Sequence, residues 1–303
     1  MTWFYRYAGL CIQSDLPFPR FMPLLETAPD ITIHAGAVPN ALLDAEKVDY
    51  LYQIKPSALL YRLPGLAQFY LQDGRAITYA LDAATDPDSA RALIVGIALP
   101  LLFHQRGDMT IQGCALEIDG GAVVLAGYSG VGKSTLAAAF VQRGYRMLTD
   151  DYSVVRLDNA TGEALVYSTF PTLHLWRFAL HKLGYSAKAI DALPRLRPQV
   201  QKHQLDVSDR FRAEPLPLRA IYIMDAPIRP TPIFEPIPAV ELIPQIHWLY
   251  SFQRLALDMG VVKRYWRLTA HMAARVRINR LNRLERTFDY GTLMDAVLED
   301  MCR

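Results

Sequence analysis

Gly127-Tyr128-Ser129-Gly130-Val131-Gly132-Lys133-Ser134-Thr135 satisfies the pattern Gly-x-x-x-x-Gly-Lys-Ser/Thr, and the stretches beside it decide the fold to which it belongs. Before it, residues 122–126 (Ala-Val-Val-Leu-Ala) form an apolar run short enough for a buried strand; after it, residues 134–143 read as a helix ending on Gly144. A strand, a glycine-rich turn and a helix are the setting in which this pattern grips phosphate. Gly127, Gly130 and Gly132 free the backbone to wrap its N–H groups round an anion, and the helix N-terminus adds partial positive charge. Lys133 is placed to reach the β- and γ-phosphates of a nucleotide, and the Ser134 hydroxyl to ligate Mg²⁺. The candidate nucleotide-binding set is therefore Gly127, Ser129, Gly130, Val131, Gly132, Lys133, Ser134 and Thr135.

With 303 residues, half of them apolar, the chain can bury one large core or two smaller ones. Thirty-two basic residues against 30 acidic ones leave a net charge of +2, which argues against a dedicated nucleic-acid binder. Cys11, Cys114 and Cys302 are few, odd in number and without metal-site spacing, so a reduced, cytoplasmic setting is expected. The first residues, Met-Thr-Trp-Phe-Tyr-Arg-Tyr, do not resemble a secretory signal. The longest apolar run, residues 92–103, is broken by Gly96 and Pro100 and is too short to span a bilayer, so no membrane role is indicated.

Residues 1–87 read as a β-rich lobe, with strands at 5–12, 31–34, 58–63, 69–71 and 76–81. A connecting helix is expected over 88–105, capped by Asp88 or Ser89. A strand over 109–118 then turns at Asp119-Gly120-Gly121 into the loop strand, so residues 107–303 make up the nucleotide domain. Within it, strands are expected at 145–149, 152–157, 164–167 and 218–224. The polar stretch 182–212, with Pro194 and Pro198, reads as a mobile connection or lid. The remainder is expected to be helical, over 240–259, 263–286 and 290–301.

Asp150-Asp151 closes a strand beside the loop. A carboxylate there can hold Mg²⁺ or take the proton of an attacking hydroxyl, and mutual repulsion raises one pKa unless the metal or Lys133 offsets it. An exposed acidic turn is the alternative. The chain carries no Asn-Lys-x-Asp base-recognition element and no Leu-Ser-Gly-Gly signature, which removes the GTPase and transporter-ATPase readings and leaves a kinase.

The loop, followed by Gln142-Arg143-Gly144-Tyr145-Arg146-Met147-Leu148-Thr149-Asp150-Asp151, resembles the catalytic domain of the HPr serine kinase/phosphorylase family. It is closer still to shorter members that phosphorylate lasso-peptide precursors, a class of ribosomally made peptides. The likeness is strongest over 109–157. It implies an α/β phosphate-loop kinase domain of the HPr kinase and phosphoenolpyruvate carboxykinase type, here with a β-rich N-terminal lobe and a helical C-terminal segment. It further implies ATP and Mg²⁺ as cofactors and the serine hydroxyl of a peptide or protein as acceptor. Carried over by position, Lys133 matches the phosphate-binding lysine, Ser134 the Mg²⁺ ligand with Asp150 beside it, and Asp151 the proton acceptor. Where the family has His-Gly before the loop, this chain has Gln112-Gly113. Glutamine can donate a hydrogen bond to either aspartate but cannot titrate near neutral pH, which puts a reverse, dephosphorylating reaction in doubt. The family's metal-binding glutamate aligns loosely with residues 173–176, where His174 is the nearest candidate and a packed histidine the plainer reading. Full-length members form homo-oligomers, but the chain differs too much outside the core for a subunit number to be carried over.

Lys202, Arg195, Arg197 and Arg210 lie where a phosphate clamp would be expected, with solvated loop charges the favoured reading. Residues 263–286 hold eight basic residues against Glu285, with Met272, Val276, Leu281, Leu284 and Phe288 as an apolar side. This reads as a helix with a solvated basic face, or as a dock for an acidic partner. A small-molecule kinase and a nucleotide-binding regulator remain as alternatives to a peptide kinase.

Overall fold

The structure, a computed structural model, describes residues 1–197, 200–225, 234–282 and 290–302. Pro198 of the expected lid, and Leu284, Glu285, Arg286 and Phe288 of the expected basic helix, lie outside the described residues. Two compact units are present, residues 1–110 with 251–265, and residues 111–250 with 266–303. No helix among the described residues is long and apolar enough to cross a membrane.

The first unit is built on a nine-stranded sheet. The stretch expected as one strand over 5–12 is instead a hairpin, Trp3–Tyr7 against Leu10–Ser14, because Ala8 (φ 50°) and Gly9 (φ 73°) both adopt the left-handed conformation that a two-residue turn requires. Leu10–Ser14 and Ala76–Leu81 both run parallel to Ile31–Ala35, and the meander continues through Ala67–Gln72, Ala58–Leu63, Tyr52–Lys55 and Lys47–Val48. Strict alternation in Ala67–Gln72 marks a sheet with one dry face. Tyr5, Phe18 and Phe21 pack their rings together on the core side.

Residues 87–106 form the expected helix, but its cap is Asp86, which accepts from the Ser89 N–H at 2.9 Å. Pro100 has no N–H to give the preceding turn, and at Ile94–Ala98 the helix widens into a π segment with Leu99 N–H donating to Ile94 O. The helix closes on Gly107 (φ 97°), with Asp108 N–H donating to Phe103 O at 2.8 Å. His104, wholly buried near this end, faces the Tyr265 hydroxyl through Nδ1 at 2.8 Å. Its Nε2 faces Ser251 O at 2.8 Å and the Thr110 hydroxyl at 2.7 Å. Burial pushes its pKa down to about 4, so the folded unit holds it neutral while the unfolded chain protonates it near 6.5. Folded stability is therefore full above pH 6.5 and declines as pH falls from there toward 4. Between pH 7.5 and 5 this group contributes a loss of about 2 kcal/mol. Urea denaturation at the two pH values measures it, and His104→Gln is expected to flatten the difference by that amount.

In the second unit the strand Gly121–Ala126 is buried along its whole length. It pairs antiparallel with Met109–Ile118 and parallel with Leu216–Asp225, which in turn runs parallel to Arg277–Asn282. Burial on both faces is why it reads as an unbroken apolar run. The helix Lys133–Gln142 covers this sheet with Leu136, Ala137 and Phe140, packed in one cluster with Val123, Leu125, Met147 and Tyr222. Tyr290–Met301, helical as expected, contributes Leu293, Met294 and Val297 to the same cluster.

Three expectations for this half are corrected. Residues 240–259 do not form one helix: Ala239–Trp248 and Gln253–Asp258 are separate, because the backbone between them bonds to a strand, Gln112 N–H to Leu249 O at 3.0 Å and Ser251 N–H to Thr110 O at 2.8 Å. Among the described residues of the basic stretch only Val261–Arg275 is helical; Arg277–Asn282 is a strand of the parallel core. The polar stretch 182–212, expected as a connection without regular structure, contains a helix, Ala187–Ala192, and a strand, Lys202–Asp206, paired antiparallel with Thr172–Trp176.

Candidate active site

The loop strand delivers the chain into Gly127 at φ 136°, and a Cβ there would lie 2.6 Å from Met224 O. Only glycine allows the turn to pass so close to the neighbouring strand. Gly130 and Gly132 also take positive φ, and no side chain caps the first turn of the Lys133–Gln142 helix. The N–H groups of a helix's first turn have no intrahelical partner and suit an anion. Lys133, 7 % exposed, folds back to donate to Gly127 O at 2.8 Å and Tyr128 O at 2.9 Å. Burial holds this ammonium below its ordinary pKa, against the opposing pull of nearby acidic groups that include Asp151 and Asp150. The Tyr128 side chain accepts a 2.9 Å hydrogen bond from the indole N–H of Trp248.

Asp150 and Asp151 end the Arg146–Thr149 strand, and the chain reverses because Asp151 sits at φ 60°, which aspartate tolerates better than most residues. Gly113 N–H donates to Asp151 O at 3.0 Å and Tyr152 N–H to Asp150 O at 2.7 Å. This reversal sends the two carboxylates in different directions. Asp150 points inward, 3 % exposed, and its Oδ1 accepts from the Ser134 hydroxyl at 2.8 Å and the Cys114 thiol at 3.1 Å, while its Oδ2 accepts from His174 N–H at 2.7 Å. The Asp151 side chain is 42 % exposed and faces an open cleft.

His174 lies between the two, with Nδ1 3.4 Å from Asp150 Oδ2 and 3.2 Å from Asp151 Oδ2. Lys202 Nζ approaches Asp151 Oδ1 at 3.6 Å. Burial alone would lower the His174 pKa, but its hydrogen bonds to both carboxylates push it up to about 9. Burial likewise works against charge on Asp150, yet the hydrogen bond and charge of His174, helped by Lys202, hold its carboxyl well below the usual range. Two protein cations therefore offset the repulsion within the acidic pair. Burial and Asp150 raise the Cys114 thiol, which stays protonated and acts as a donor.

Gln112, Ser129, Gly130, Gly132, Lys133, Ser134, Thr135 and Asp151 all line this one cleft, as do His174, Trp176 and Lys202. Gly127 and Asp150 do not line it: the Gly127 carbonyl accepts from Lys133, and Asp150 accepts from Ser134. Val131 turns its side chain into the core instead. Arg195, Arg197 and Arg210 do not line the cleft, so Lys202 alone of that polar group faces the site. The sequence reading offered His174 only through a loose alignment and Lys202 only as one of four basic residues in a polar stretch, because neither has a motif of its own. Their strands pair in one two-stranded sheet, with the register His174 to Gln204 and Trp176 to Lys202, which is a tertiary pairing.

His174 Nδ1 and carboxylate oxygens of Asp150 and Asp151 lie within 4.8 Å of one another. A protonated His174 competes with a cation for that spot. Ser134 Oγ and Asp150 Oδ1, two adjacent oxygen donors at the start of the helix, suit a hard cation such as Mg²⁺.

Residues 106–173 match the family described as HPr Serine kinase C-terminal domain. The HPr kinase/phosphorylase of Lactobacillus acidophilus is 48 % identical over 58 residues, 18 % of each chain. That of Nitrosomonas europaea is 29 % identical over 142 residues, 41 % of this chain and 42 % of the relative. The alignments thus span less than half the length of either relative. Among solved structures, the HPr(Ser) kinase/phosphatase from Coxiella burnetii is similar with a TM-score of 0.35 and 12 % identity, over 63 % of this chain and 88 % of that one. The stretch from residue 106 to residue 173, which holds the glycine loop, Lys133, Ser134 and both aspartates, is similar in sequence to the C-terminal domain of the HPr serine kinases.

Proposed function

We propose that the second unit transfers the terminal phosphoryl group of ATP to the hydroxyl of a serine in a peptide or protein. The observation that carries this reading is the placement of the Asp151 carboxylate in the same cleft as Lys133, Ser134 and the uncapped helix N-terminus. Gripped by the loop amides and Lys133, the γ-phosphate faces the aspartate. Asp151 takes the proton of the serine hydroxyl as its oxygen bonds to phosphorus, and the bond from phosphorus to the β,γ-bridging oxygen breaks, leaving ADP. Ser134 and Asp150 would hold Mg²⁺, which supplies charge neutralisation at the β- and γ-phosphates when bound. Gln112 is positioned to orient the acceptor or Asp151 by hydrogen bonding, without exchanging protons.

Lys202 holds positive charge beside Asp151, where negative charge crosses to the acceptor. Lys202→Met is expected to lower kcat by about 10²-fold, with partial recovery in Lys202→Arg, measured as initial rates at saturating ATP. The acceptor is narrowed by resemblance alone to a lasso-peptide precursor, and the setting is taken as cytoplasmic. The test is transfer of label from γ-labelled ATP to candidate peptides and proteins, including such precursors, with mass spectrometry locating the phosphate. A phosphoserine product supports the reading. Rapid ATP consumption with a metabolite and none with any peptide would reassign the chain as a small-molecule kinase.

A further inference from the structure

One aromatic side chain in the cleft is left without a partner. Trp176 lines it at 50 % exposure, and its indole has no hydrogen-bond or ring partner among the described residues. Two other exposed aromatic residues of this unit are engaged, Phe178 beneath the ammonium of Lys182 at 4.7 Å and Tyr128 against Trp248 at 4.6 Å between ring centroids. Tryptophan at half exposure with both its face and its N–H unused is a binding surface in search of a flat ligand.

Its position in the strand says which ligand. Thr172–Trp176 carries alternate side chains to one face, so Trp176 follows His174 on the cleft side, about 6.6 Å further along at a strand's rise. His174 marks the part of the cleft where the two aspartates meet, and where the proposed reaction puts the terminal phosphate. Ser134 and Thr135, in the first turn of the loop helix, line the same cleft. A nucleotide whose outer phosphates sit at Lys133 has its sugar and base leading away from them by a comparable distance.

We infer that Trp176 is the platform on which the base of the bound nucleotide stacks, so that the site favours a nucleoside di- or triphosphate over a bare polyphosphate. The inference rests on the phosphate-loop reading above. Stacking uses the π-face that every base presents, so Trp176 supplies affinity for a base without choosing which one.

Binding of ADP and of inorganic tripolyphosphate to the whole chain, each with Mg²⁺, separates this inference from the reading it rests on. Calorimetry gives both affinities, and quenching of tryptophan emission on ADP addition gives a second signal. Trp176→Ala is expected to weaken ADP about 10-fold to 100-fold and to leave tripolyphosphate within about twofold, with Trp176→Phe retaining most of the ADP affinity. Loss of the ADP-induced quenching should accompany it. Equal weakening of both ligands, or no weakening of ADP, overturns the inference while the nucleotide site stands. Unchanged ADP affinity with a raised acceptor KM overturns it too and gives Trp176 to the peptide. Failure of the wild-type chain to bind either ligand overturns the phosphate-loop reading and this inference together.

Discussion

Asp151→Asn is expected to lower kcat for serine phosphorylation by about 10² to 10⁴-fold, the contribution usual for a positioned general base, while Mg²⁺-ADP affinity changes little. Asparagine keeps the shape of the side chain and accepts φ 60° as readily as aspartate, so the reversal at this residue and the Gly113 N–H to Asp151 O bond survive. What disappears is the ability to take the proton of the serine hydroxyl, together with a charge that His174 and Lys202 both face. Initial rates with ATP and acceptor, set beside calorimetric ADP binding on the same preparation, measure the two effects separately. Full kcat in the variant would show that Asp151 is not the base.

Lys133→Ala is expected to reduce kcat/KM for transfer by about 10² to 10³-fold and, unlike the aspartate variant, to weaken ATP binding as well. Its ammonium is buried and near the loop carbonyls of Gly127 and Tyr128, so on nucleotide binding it needs only to exchange these partners for phosphate oxygens. Removing it takes the Lys133 donor from both carbonyls, of which Tyr128 O keeps the Val131 N–H, and removes the charge proposed to hold the terminal phosphates. Thermal denaturation distinguishes this from simple unfolding. A folded variant that binds ATP with wild-type affinity would overturn the role given to Lys133.

Much of the site was written locally. Three glycines, a lysine and a hydroxyl between an apolar run and a helical period announce a phosphate loop because each requirement, left-handed backbone, free amides and an uncapped helix start, is met by residues adjacent in the chain. Met109–Ile118, Tyr152–Leu157, Ala164–Tyr167 and Tyr290–Met301 were legible for the same reason, since their periodicity and flanking turns are self-contained. Arg277–Asn282 was not legible: its mix of arginine, asparagine and apolar residues continues the preceding basic helix in composition, and it becomes a strand by pairing with Leu216–Asp225. Lys202–Asp206 likewise carries polar residues that read as loop until Thr172–Trp176 supplies its partner.

By itself, then, the amino-acid order determined the glycine turn that leads from a buried strand into a helix, and the two carboxylates that close the next strand, because a tight turn and a helix start depend on a few neighbouring residues. Only the tertiary structure decided which carboxylate is buried and which faces the cleft, and that His174, Lys202 and Trp176 join them. Those arrangements depend on strand pairings between distant segments and on the burial they create, and such pairings set the charge on each group through desolvation and through neighbours that no local pattern announces.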